Sequence, residues 1–182
     1  MIFIGKAASG SPNPLGNFPF LNHQKYIAGV ETCDQLILNI MKIVICGSMA
    51  FSQKMVEIAN NLKQAGHKAI LPRNTENYAI KSLREEIGSE STENKIKYDL
   101  IREYYNEIKN SDAVLIVNEN KNNIPNYIGG NSFLEMGFAH VLNKKIFILN
   151  SLPEMIYTDE IKAMQPIILE GDLDKIKKPS YF

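Results

Sequence analysis

Along this chain, short apolar runs alternate with stretches in which apolar residues recur every three or four positions. Lys42-Ile-Val-Ile-Cys46 is an apolar run halted by Gly47-Ser48, as a parallel strand buried on both faces requires. Residues 52–65 then place Met55, Ile58, Ala59, Leu62 and Ala65 on one helical face, and Gly66 stands where a C-terminal cap belongs. Lys68-Ala-Ile-Leu71 reads as a second strand, stopped by Pro72, and residues 73–93 are polar and irregular with weak helical character around 80–87. Ile96, Leu100, Ile101, Tyr104 and Ile108 predict one helix through 94–110, and Ala113-Val-Leu-Ile-Val117 is the strongest strand pattern in the chain. Gly129-Gly130 then opens an apolar helix running to about 143. Strand Lys145–Leu149, a short helix near 159–164 and strand Pro166–Leu169 follow. Strands alternating with helices predict an α/β sandwich of about five parallel strands with helices on both faces. Ligands of such sheets bind beyond the carboxyl ends of the strands. Gly47-Ser48-Met49, Asn118-Glu-Asn and the 129–132 turn all fall on that edge.

Residues 1–40 follow a different pattern. Ile2-Phe3-Ile4 suggests a short strand, Gly5 to Pro19 is loop-like, and Val30, Cys33, Leu36, Ile37 and Ile40 suggest a short amphipathic helix. Met41-Lys-Ile-Val reads as a natural beginning, so 1–40 is expected to be an extension and 41–182 the α/β domain.

Composition narrows the function classes. Of 182 residues, 45% are apolar and 22% charged, which is ordinary for a soluble globular protein with a core. Twenty basic and twenty acidic residues cancel, so charge offers nothing to nucleic acid or a membrane surface. No run of about 18 apolar residues suggests a membrane span, and the start lacks the basic and apolar regions of a secretory leader. Cys33 and Cys46 make neither a disulfide framework nor a zinc site, and His23, His67 and His140 are isolated. A reduced, cytoplasmic protein without a metal or cofactor is expected.

One residue stands out against this background. Glu135 sits among Phe133, Leu134, Met136, Phe138, Ala139, Val141 and Leu142, in a helix apolar nearly all round. Such helices are normally buried, and an ionised carboxylate there costs several kcal/mol unless compensated. Two readings fit. Ser132-Phe-Leu-Glu135 matches the capping box, in which Ser and Glu each satisfy a backbone N–H at the helix start. Alternatively, Glu135 is a carboxylate presented to a ligand beside a glycine turn.

Other candidate motifs are weaker. Gly5-Lys-Ala-Ala-Ser-Gly10 has the glycine spacing of a phosphate-binding P-loop, but Ser11-Pro12 replace its Lys and Ser/Thr, so the motif is broken. Asp99, Glu103 and Glu107 form an acidic line that reads either as a solvated face or, for Asp99 and Glu103, as a grip on a sugar hydroxyl. Cys46 reads as a buried strand residue and Asp112 as a loop cap.

Taken in order, Cys46-Gly-Ser48, Asn110-Ser-Asp-Ala-Val-Leu-Ile-Val-Asn118 and Gly129-Gly-Asn-Ser-Phe-Leu-Glu-Met-Gly-Phe-Ala139 resemble nucleoside 2-deoxyribosyltransferases and related deoxynucleoside monophosphate N-glycosidases, across about residues 41–150. The resemblance implies a flavodoxin-like three-layer sandwich and a glutamate nucleophile that attacks the anomeric carbon; by position this is Glu135. It implies a small-molecule nucleoside or nucleotide partner and a homodimer or larger homo-oligomer. The expected substrate-binding residues are Gly47, Ser48, Met49, Asp99, Glu103, Asn118, Gly130, Asn131 and Ser132, with Asn131 and Ser132 placed to hold a 5′-hydroxyl or phosphate at a helix start. The chain departs from the family pattern at Tyr104, eight positions before Asp112, where the family carries a sugar-binding acid. That departure keeps two rivals in view: a nucleotide sensor of the same fold, and a structural subunit in which Glu135 only caps.

Overall fold

The computed structural model describes residues 40–81 and 92–176. The strand, loop and helix expected within 1–39 lie outside the described residues, as does most of the weakly helical stretch around 80–87. The elements run β1 (Lys42–Gly47), α1 (Ser52–Gln64), β2 (Lys68–Ile70), α2 (Thr75–Lys81), α3 (Thr92–Lys97), α4 (Leu100–Lys109), β3 (Ala113–Val117), α5 (Gly130–Val141), β4 (Lys145–Ile148), α6 (Thr158–Ala163) and β5 (Ile167–Ile168). A 3-10 turn at Met49–Phe51 leads into α1, and another at Leu173–Lys175 follows β5.

All five strands pair in parallel in the order β2-β1-β3-β4-β5. This is the doubly wound, flavodoxin-like arrangement, whose switch point lies between β1 and β3. Successive strand residues point to opposite faces. Ile43, Ile45, Leu115, Val117 and Phe147 therefore pack on Met55, Ile58 and Leu62 of α1. Val44, Cys46, Val114, Ile116, Ile146 and Ile148 pack on Ile108 of α4, Met136 and Ala139 of α5 and Ile161 of α6. Burial on both faces is why β1 and β3 read as unbroken apolar runs.

Helix ends follow local chemistry. After α1, Gly66 takes φ +88, His67 N–H donates to the Leu62 carbonyl at 2.9 Å and Gly66 N–H to Lys63 at 3.0 Å. This left-handed close is what glycine permits without strain. Asn143, at φ 53, closes α5 by the same pair of bonds.

Three expectations are corrected. The single helix over 94–110 is two helices, because Asp99 takes a left-handed φ of 46 between α3 and α4. Asp tolerates that conformation, and side-chain periodicity cannot register it. Helix α5 starts at Gly130 with Gly129 as its N-cap and no side-chain cap bond, so Ser132 and Glu135 form no capping box. Nor is α5 buried all round, since Leu134 and Val141 face outward at 41% and 79% exposure. Among the described residues no helix is long and apolar enough to cross a membrane, and no group of three or more His, Cys, Asp or Glu could hold a metal.

Candidate functional site

A cavity of about 310 Å³ opens at the carboxyl ends of the strands. Its floor is the end of β1. A Cβ on Gly47 would come within 3.1 Å of Met55 Sδ and 3.2 Å of the Val117 carbonyl, so glycine lets β1 and β3 pass closely under the cavity. Ser48 and Met49 continue the wall, and Ser48 Oγ caps the following turn by accepting from Ala50 N–H at 3.4 Å.

Glu135 enters from the second turn of α5. Its carboxyl faces the cavity with part of its surface, yet protein surrounds it closely enough to raise its pKa from 4.5 to about 8. Burial is the cause; a hydrogen bond with the Cys46 thiol and the charge of Lys95 pull the other way. Cys46 itself is fully buried, and burial first, then Glu135, pushes its thiol well up, so it stays neutral, with Sγ also 3.9 Å from the Val44 carbonyl it donates to. The phenol of Tyr104 is pushed up by burial and by the neighbouring Cys46 and Glu135, and donates to the Ile45 carbonyl. Cys46 of β1 and Tyr104 of α4 thus place two neutral groups beside one carboxyl.

The opposite wall comes from α4 and the loop after β2. Glu103 Oε1 accepts from Arg73 Nη2 at 2.9 Å and Nε at 3.3 Å, while Oε2 is buried without a partner. Arg73 also lies 5.5 Å from the centre of the Tyr98 ring. A buried, unsatisfied carboxylate oxygen is costly, and it belongs to a residue that lines the cavity.

No protein-family model and no curated protein matches the chain. A solved structure of a 2-deoxyribosyltransferase from the psychrotolerant bacterium Bacillus psychrosaccharolyticus, characterised as a biocatalyst for synthesis of antiviral and antitumoral nucleosides, is similar to it. The similarity covers 78% of this chain and 99% of that one, at 18% identity and a TM-score of 0.49. A likeness that distant concerns overall fold and carries nothing about the site.

Of the residues expected at the site, Gly47, Ser48, Met49, Glu103, Gly130, Asn131, Ser132 and Glu135 line the cavity together. Asp99 and Asn118 do not line it. Asp99 is exposed at the helix break and pairs with Arg102 at 3.1 Å. Asn118 is fully buried and ties loops together: Nδ2 donates to the carbonyls of Ser151 at 2.9 Å and Asn126 at 3.3 Å, and Oδ1 accepts from Asn150 N–H at 2.9 Å. Its chemistry is spent on the scaffold. The cavity also recruits Arg73, Lys95, Lys121 and Tyr127, which the sequence pattern did not single out. Arg73, Lys121 and Tyr127 come from loops and Lys95 from α3, and they belong to no spaced motif, so only their convergence reveals them.

Proposed function

We propose that this protein cleaves or transfers the N-glycosidic bond of a (deoxy)nucleoside or nucleoside 5′-monophosphate, with Glu135 as nucleophile. The observation that carries the reading is the Glu135 carboxyl itself: held in a cavity at the strand ends, beside Cys46, and relieved of any capping role. In the first step a carboxylate oxygen bonds to the anomeric carbon while the carbon–nitrogen bond breaks. Its electron pair leaves with the base, which takes up a proton. In the second step water, or the nitrogen of another base, attacks the same carbon and releases the carboxylate. Two displacements at one carbon retain configuration, as in retaining glycosidases. In this reading Glu103, a carboxylate that lines the cavity, accepts from a sugar hydroxyl and takes the role left open by Tyr104.

Only the ionised form of Glu135 is nucleophilic. With a pKa of about 8, roughly one carboxyl in ten is ionised at pH 7. Base release is therefore expected to rise about tenfold from pH 6 to 7 and to level off above 8. The same protonation favours a second reading, a nucleotide sensor, because a neutral Glu135 is a hydrogen-bond donor to a ribose hydroxyl. Incubation with deoxynucleosides and their 5′-monophosphates, followed by chromatography for free base, decides between them. Base release that disappears in Glu135→Gln supports the nucleophile; ligand binding without release in the parent supports the sensor; turnover surviving in Glu135→Gln removes Glu135 from the mechanism.

A homodimer or larger homo-oligomer is part of the proposal. Its support is the outward apolar surface of Ile101, Leu134 and Val141, at 52%, 41% and 79% exposure. A strict monomer by light scattering at micromolar concentration would refute it.

A further inference from the structure

Cleavage of an N-glycosidic bond needs a proton for the departing base, and the state of Glu135 limits where that proton comes from. Glu135 attacks only when ionised, which at a pKa of about 8 means alkaline conditions. A carboxylic acid of ordinary strength has lost its proton there, so the donor has to be a weaker acid, an ammonium or a phenol. Tyr104 spends its hydroxyl on the Ile45 carbonyl. Arg73 is bound to Glu103 through two nitrogens, and a guanidinium does not give up its proton. Lys121 donates to Ser48 Oγ at 2.7 Å. Tyr127 lies along the Gly129 backbone, its ring 3.3 Å from where a Cβ would stand, and the group its charge acts on is Tyr157. Lys95 is left.

Lys95 stands on α3, the short helix that the left-handed Asp99 turns back against α4. Asp99 N–H closes that turn on the Ile96 carbonyl at 3.2 Å, and Glu103 N–H donates to the Asp99 carbonyl at 3.0 Å. The turn decides which side chain meets the cavity. Ile96 and Tyr98 are exposed, and the Lys97 ammonium lies 5.2 Å from the centre of the Tyr98 ring. Lys95 instead is half-buried and lines the cavity with Leu100 and Glu135. Of Arg73, Lys95 and Lys121, it is the one whose charge acts on Glu135. The two nevertheless form no ion pair within 4.0 Å, and among the described residues no other acid pairs with Lys95. Carboxyl and ammonium thus share one cavity without closing on each other. A nucleophile and a proton donor have to stand so, flanking the bond that breaks, as the two groups of retaining glycosidases do at about 5–5.5 Å.

We infer that Lys95 is the general acid of this cavity, giving its proton to the base as the carbon–nitrogen bond breaks. The bond's electron pair goes to the base, which leaves neutral, and Lys95 becomes an amine. In the second step the attacking water, or the N–H of a second base, returns a proton to that amine as the bond from Glu135 to the anomeric carbon breaks. The assignment rests on the nucleoside reading of the cavity. Its test pairs deoxynucleosides and their 5′-monophosphates with analogues whose base leaves without a proton, 7-methylguanine for purines and 5-nitrouracil for pyrimidines. Parent, Lys95→Met and Lys95→Arg are compared by base release above the Glu135 titration. Lys95→Met is expected to lose about 100-fold in kcat/KM on the ordinary bases, the usual worth of a general acid, and less than about fivefold on the analogues. Lost charge beside Glu135 slows both members of a pair alike, so their ratio isolates the proton. Lys95→Arg keeps the charge but has no proton to give, so it should hold the midpoint of the pH–rate profile and show the same selective loss. Both variants should unfold within a few degrees of the parent. Equal slowing of both members of a pair, full turnover of ordinary bases in Lys95→Arg, or the selective loss appearing in Tyr127→Phe instead would overturn the assignment and leave the nucleophile standing. A parent that releases neither kind of base would end the nucleoside reading and this assignment with it.

Discussion

Replacing Glu135 by Gln is expected to make the protein more stable while removing its chemistry. In the fold this carboxyl titrates at about 8, against 4.5 for the unshifted group. Between those values the native state holds a proton that the unfolded chain has released, so stability falls as pH rises through the window. At ~1.4 kcal/mol for each pH unit, the loss by pH 8 amounts to roughly 3–5 kcal/mol. Gln is neutral throughout and has nearly the same shape, so this slope vanishes in the variant. Allowing about 1 kcal/mol for a poorer bond with the Cys46 thiol, Glu135→Gln should be roughly 2–4 kcal/mol more stable than the parent at pH 8 and about equal to it near pH 5. For a chain of 182 residues, that corresponds to roughly 5–15 °C in melting temperature at pH 8. Denaturant and thermal unfolding of both proteins at pH 5, 6, 7 and 8 measure it. His67 titrates with the opposite sign, since burial lowers its pKa and its Nδ1 accepts from Met41 N–H at 3.2 Å. The difference between variant and parent cancels that contribution. If the variant is no more stable at pH 8, or the gap does not grow with pH, Glu135 is not a desolvated carboxyl and the functional reading loses its footing.

Other outcomes follow from single contacts. Cys46→Ala removes the hydrogen bond that holds the Glu135 pKa down, so the midpoint of the pH–rate profile, and of a carboxyl carbon NMR titration, should move further alkaline; a shift to lower pH would contradict this arrangement. Asn118→Ala strands the groups it now satisfies on Asn126, Ser151 and Asn150 and should cost roughly 2–4 kcal/mol in denaturant unfolding, because its loss loosens the loop under Lys121; a cost under 1 kcal/mol would show that the loop holds without it.

Much of the fold was legible along the chain because it is set by short-range chemistry. The unbroken apolar runs at 42–46 and 113–117 mark strands that must be buried on both faces. Gly66 ends its helix because the chain there needs a positive φ. Glu135 was conspicuous as a carboxyl in an apolar setting. Periodicity says nothing of backbone angles, however, so the left-handed break at Asp99 that splits 94–110 was invisible. Capping depends on where a helix starts to within one residue, and α5 begins at Gly130, three positions earlier than a Ser132–Glu135 box requires. Asn118 and Glu103 show the limit most clearly. Both are polar residues near strand ends or along an acidic line, yet only packing made Asn118 a tie between loops and left Glu103 with a buried oxygen that has no partner. Arg73, Lys95 and Lys121 come from three separate segments. The chain alone determined which stretches form strands and helices and which carboxyl sits in the wrong solvent. Tertiary structure alone decided which charges meet, because that depends on the spatial order β2-β1-β3-β4-β5 rather than on distance along the sequence.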